Sequence, residues 1–129
     1  MINNYQHSDI TEKIIKSFFN VYNKLGYGFL EKVYENSMII ELSKLGLNAK
    51  KQFPIQVFYD DKNVGEYFAD IIVEDSVIVE LKAAENLIPE HEAQLVNYLK
   101  ATDIEVGLLL NFGKEPQFKR KVFSSEFKS

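Results

Sequence analysis

Three polar residues stand where the surrounding pattern calls for apolar ones. Val77-Ile78-Val79-Glu80-Leu81-Lys82 reads as a strand, and its alternation puts Glu80 and Lys82 on the face of Ile78. A carboxylate inside so apolar a strand is costly to bury unless something pairs with it. Asp70 raises the same question in the preceding run, Tyr67-Phe68-Ala69-Asp70-Ile71-Ile72-Val73. If Glu74 to Ser76 form the loop, Val73 pairs with Val77 and Asp70 falls opposite Glu80 on one face. Like charges directly opposite each other destabilise a sheet. A divalent cation reverses that sign by making both carboxylates ligands. The same residues also fit a salt bridge on a solvated face, with Lys82 neutralising one acid. A loop of even length would put the two acids on opposite faces.

Composition narrows the choice of metal. The chain has no Cys, which excludes a disulfide scaffold, a thiol nucleophile and a Cys-based zinc site. His7 and His91 are its two histidines. A metal must therefore be held by oxygen, which selects Mg²⁺, Mn²⁺ or Ca²⁺. With 129 residues and 46% hydrophobic composition, one packed domain over residues 1–129 is expected. Met1 to Asp9 is polar and unlike a signal peptide, and no apolar run approaches the ~20 residues that span a bilayer. A cytoplasmic location and no membrane partner are the resulting expectations. The net charge of −4 argues mildly against a nucleic-acid partner. Lys50-Lys51 and Lys119-Arg120-Lys121 are the basic runs, and each reads by itself as a solvated face.

These residues must be positioned by an α/β framework. Ile10, Ile14, Phe18, Val21, Tyr22 and Leu25 recur at helical spacing, with Asp9 as the candidate cap. After Gly26 and Gly28, Leu30, Val33, Tyr34, Met38, Leu42 and Leu45 predict a second helix that stops at Gly46. From Ala49 the period becomes two, and Asp60 to Asn63 reads as a turn between strands. Strands follow at Val64 to Val73 and Val77 to Lys82. Pro89 opens a third helix through Tyr98 and Leu99. Val106 to Asn111 predicts a buried strand, and Phe118 to Phe123 a last short one. The predicted order is α-α-β-β-β-α-β-β, a mixed sheet flanked by helices.

Other candidates are weaker alone. With Gly28 as N-cap, Glu31 would be the third helical residue, where backbone N–H groups and the helix dipole favour Glu. Capping explains it as well as catalysis does. Gln94 and Tyr98 are four apart and share a helix face with His91, which is also what a core Tyr beside surface residues would do.

Together the motifs resemble a known pattern. Gly28-Phe29-Leu30-Glu31-Lys32-Val33-Tyr34 is similar to the motif that names the GxxExxY family. Asp70, then Glu80-Leu81-Lys82, then Gln94 through Tyr98 resemble the PD-(D/E)XK nuclease superfamily, with Ala69 where its name has Pro. The Gln-x-x-x-Tyr element resembles the branch containing exonucleases of recombination and repair. Gly107 to Gly113 is similar to the family's closing strand. The resemblance implies a restriction-endonuclease-like core and a nuclease that hydrolyses nucleic acid, DNA before RNA. It implies Mg²⁺ or Mn²⁺ on Asp70, Glu80, the Leu81 carbonyl and Glu31, with Lys82 catalytic and Gln94 and Tyr98 positioning the substrate or Lys82. The acidic total and single Arg instead suit a homo-oligomer, a basic partner protein, or a non-catalytic nucleic-acid-binding or assembly module.

Overall fold

The computed structural model describes residues 6–128, so the polar segment read at Met1 to Asp9 lies partly outside the described residues. Its elements are α1 (Ser8–Leu25), α2 (Glu31–Lys44), β1 (Ala49–Tyr59), β2 (Lys62–Val73), β3 (Val77–Lys82), α3 (Pro89–Lys100), β4 (Val106–Phe112) and β5 (Pro116–Val122). A short 3₁₀ turn, Ser125–Phe127, follows. The order matches the expectation. The strands form one mixed sheet in the order β1-β2-β3-β4-β5. β3 and β4 are parallel and joined through α3, and the other neighbours are antiparallel.

The sheet is covered on both faces. Ile14, Phe18 and Val21 of α1, and Tyr34, Met38 and Leu42 of α2, pack against Val79, Leu81, Leu108 and Leu110. On the other face Leu95, Tyr98 and Leu99 of α3 pack against Ile78 and Leu109. Every residue of β4 is buried, as the continuous apolar run requires of a strand covered twice.

Two helix starts differ from expectation. Asp9 does not cap α1. His7 is the N-cap, in the left-handed region at φ 56°, and Asp9 lies in the first turn. Asp9 therefore acts through the helix dipole and not through a side-chain cap. Leu30, not Gly28, is the N-cap of α2, so Glu31 is its first helical residue. Leu30 and Val33 consequently lie at the surface, 79% and 36% exposed, off the buried face. The delay has a local cause. Gly28 sits at φ 107°, a conformation that side chains resist. Tyr34 fixes the resulting loop: its hydroxyl donates to the Gly26 carbonyl at 2.7 Å and accepts from the Phe29 N–H at 3.2 Å. The ring is fully buried and stacks on Phe112 at 4.1 Å. The Gly and Tyr of the Gly28–Tyr34 motif thus hold the backbone that leads into Glu31.

The turn expected at Asp60 to Asn63 is shorter. Asp60 and Asp61 both have positive φ, 50° and 64°, and β2 begins at Lys62. Two such residues suit the twist of a tight hairpin. β2 pairs with β1 along nearly its whole length but with β3 only from Ile71 to Val73. The distal half of the β1–β2 hairpin is therefore a two-stranded arm beyond the sheet.

The chain after β3 is pinned to β4. Asn111, fully buried, donates to the Ala84 carbonyl at 3.0 Å and accepts from the Ala84 N–H at 2.9 Å. A Cβ on Gly113 would meet that same carbonyl at 2.4 Å. Gly113→Ala is therefore expected to cost about 1–3 kcal/mol, as overpacking a tight site does. Urea unfolding checks this, and a variant as stable as wild type contradicts it.

Candidate active site

The acidic pair sits where the β2–β3 ladder ends. Val73 faces Val77, Ile72 faces Ile78 and Ile71 faces Val79, the register expected from the odd loop. The next pair in that register is Asp70 and Glu80. Here side chains replace the ladder. The Asp70 N–H donates to Glu80 Oε2 at 2.7 Å, and the Leu81 N–H donates to Asp70 Oδ2 at 2.7 Å. Each carboxylate thus closes a backbone donor of the opposite strand and keeps its other oxygen.

The strand turns over at this point. Ile71 packs under α1 and α2, whereas Ala69, two residues away, packs with α3. Strict alternation would place both on one face. On β1 the break falls at Gln52, which has φ 59° and no partner in a register that pairs Lys51 with Ile71 and Phe53 with Ala69. Asp70 therefore occupies the twist itself, between the two layers of helices.

Like charges surround it. Glu80 is 3% exposed, and burial followed by the Asp70 charge raises its pKa from 4.5 to about 8. Burial also raises the Asp70 pKa, helped by the charges of Glu35 and Glu31. Glu31 itself is exposed at the start of α2 and has no capping bond, yet its charge reaches both acids. Neither Glu35 nor Gln52 stands out in the sequence. Glu35 is buried and accepts a bond from Gln52 Nε2 at 3.2 Å. One signal was available: Glu35 stands four residues after Glu31, on the same helix face.

Lys82 does not neutralise the pair by contact. Among the described residues no salt bridge joins it to Asp70 or Glu80. Its Nζ donates instead to Gln94 Oε1 at 3.1 Å. Tyr98, one helical turn from Gln94, has its pKa pushed up to about 12 by burial and then by the charges of Glu80 and Asp70. Asp70, Glu80, Lys82, Gln94 and Tyr98 therefore converge on one region. His91 lies apart from it, its Nδ1 accepting from the Ile88 N–H at the start of α3.

Among the described residues no group of three or more His, Cys, Asp or Glu side chains is close enough to hold a metal ion. The candidate side-chain donors are thus Asp70 and Glu80, and Glu31 does not join them in a group of three. Two hard oxygen donors, with pKa values raised by burial and by neighbouring carboxylates, suit Mg²⁺ or Mn²⁺, which keep several waters.

The pH dependence follows from these shifts. Between 4.5 and about 8 folded Glu80 holds a proton that the unfolded chain has released. Rising pH therefore favours unfolding across that window. The Glu80 contribution to stability without metal is full below 4.5 and is lost as pH passes through about 8, with Asp70 shifted in the same direction. Thermal melting in EDTA should show this decline in wild type and a smaller one in Glu80→Gln. Equal profiles for the two proteins would contradict it.

A mixed sheet between two helical layers, with Asp-Glu-x-Lys chemistry where two strands part, defines a nuclease-like α/β domain. The family model of the PD-(D/E)XK nuclease superfamily matches residues 8–122, and the chain belongs to that superfamily. No curated protein matches it. The crystal structure of SSO0001 is similar in fold, with a TM-score of 0.53 and 16% identity over 70% of this chain. The chain spans about half of that structure's length, 48%. No described helix is long and apolar enough to cross a membrane.

Proposed function

We propose that this protein hydrolyses phosphodiester bonds of nucleic acid, DNA before RNA, with Mg²⁺ or Mn²⁺ at Asp70 and Glu80. The observation that carries the reading is the pair of carboxylates at the end of the β2–β3 ladder, Glu80 buried and Asp70 half-buried, which no salt bridge among the described residues neutralises, while Lys82 bonds Gln94 instead. A structural salt bridge would have used Lys82 to neutralise one acid. Membership of the PD-(D/E)XK superfamily supports the same chemistry. The Gly28–Tyr34 segment, with Tyr34 bracing the loop before Glu31, supports assignment to the GxxExxY family within it.

Asp70 and Glu80 would hold the divalent cation, with the Leu81 carbonyl as a further oxygen. The ion supplies charge neutralisation at the phosphoryl oxygens and a water of lowered pKa. Lys82 stabilises negative charge developing on the phosphate. Gln94 fixes the Lys82 ammonium, and Tyr98 stands one helical turn further along the same face. Glu31 and Glu35 add negative potential at Asp70, which favours a cation there.

The test is cleavage of end-labelled DNA and RNA, single-stranded and duplex, with Mn²⁺ and with EDTA. Cleavage that stops in EDTA is the expected result. Binding without cleavage on every substrate would instead establish a non-catalytic nucleic-acid-binding module.

A further inference from the structure

A groove of about 870 Å³ opens between the β1–β2 arm and α3. Its wall includes Gln94 and Tyr98, so it adjoins the candidate active site through these two side chains. Three aromatic rings line it, Phe58, Tyr67 and Tyr98. Phe58 and Tyr67 are 58% and 51% exposed, and Tyr67 lies 5.9 Å from Tyr98 at a tilt of 44°. An arm of two strands gains little stability from exposed rings, and clustered exposed apolar surface marks a binding site. Between the rings stand the amides of Gln56, Gln94 and Asn97. Amides offer donor and acceptor together, which suits the edges of bases.

The charge of the groove selects among nucleic acids. Glu90 and Lys100 are its charged lining residues, one of each sign. A duplex meets a protein through its phosphates and calls for a basic surface. A groove of rings and amides with no net charge can engage only bases whose faces and edges are free. Unpaired strands expose those faces and edges, and stacking on aromatic side chains is one of the two means by which proteins hold them, the other being a basic groove along the backbone.

We propose that this groove binds an unpaired stretch of the nucleic-acid strand next to the phosphate to be cleaved, with a base stacked on Tyr67. The inference rests on the nuclease reading for what occupies the centre, but it concerns binding and is measured without cleavage. The Tyr67 ring supplies the stacking face, Phe58 extends it along the arm, and the amides contact base edges.

The experiment is fluorescence anisotropy in EDTA, using one oligonucleotide as a single strand and as a blunt duplex. A second single strand carrying 2-aminopurine reports stacking through quenching. Wild type should bind the single strand more tightly and quench 2-aminopurine. Tyr67→Ala should weaken single-strand binding roughly tenfold and abolish quenching, as loss of a stacking ring does. Tyr67→Phe should restore both, which separates stacking from a folding defect. Affinity should also depend weakly on salt, because few phosphates are contacted.

Equal affinity for both forms, or Tyr67→Ala binding like wild type, overturns the groove. No oligonucleotide binding at all also overturns it and leaves the groove to another class of partner. Failure of the nuclease reading looks different: single strands bind through Tyr67, yet Mn²⁺ never induces cleavage.

Discussion

Replacing Glu80 with glutamine should abolish Mn²⁺ binding and cleavage together while the fold survives. The amide can still accept the Asp70 N–H bond, so the end of the β2–β3 ladder stays closed. What disappears is a ligand charge. Hydrogen-bond partners behind a metal ligand are already worth roughly 10–100-fold in affinity, and the ligand itself should exceed that. The metal-free variant should also gain stability above the Glu80 pKa of about 8, on the order of a few kcal/mol, because it carries no buried charge against Asp70. Titration calorimetry and thermal melting check both halves. A large loss of stability with no metal effect in wild type would mark a structural ion network, since breaking a buried pair costs about 3–5 kcal/mol.

Lys82→Ala should separate binding from chemistry. Its ammonium touches Gln94 and neither acid, so the acidic pair and its affinity for Mn²⁺ should remain. Cleavage should fall roughly 10²–10³-fold, the usual effect of losing one group aimed at developing charge. A parallel loss of metal affinity would show that Lys82 serves the acidic pair and not the reaction.

The sequence carried the sheet register because the loop of Glu74 to Ser76 is odd and the flanking strands are strongly apolar. Those two features together forced Asp70 and Glu80 opposite each other. Helical spacing likewise put Gln94 and Tyr98 on one face, and the β3-α3-β4 crossover carried that face over Lys82. The end of the ladder was not readable. It depends on Gln52 at positive φ, and glutamine gives no turn signal of the kind that Gly or Asn gives. Glu35 was hidden for a related reason. A Glu in an amphipathic helix reads as surface, and only the twist of β2 brings Asp70 within its electrostatic reach. The start of α2 was misplaced because Gly28 resembles a cap, whereas it serves a loop closed by the Tyr34 hydroxyl.

Single-turnover cleavage of labelled DNA and RNA by wild type and Lys82→Ala, both saturated with Mn²⁺, tests the central claim most directly. A contaminating nuclease would give the two preparations equal rates. The account predicts cleavage by wild type and a loss of roughly 10²–10³-fold in the variant at unchanged metal occupancy. Equal rates, or no cleavage by a wild-type protein that demonstrably holds Mn²⁺, would contradict it.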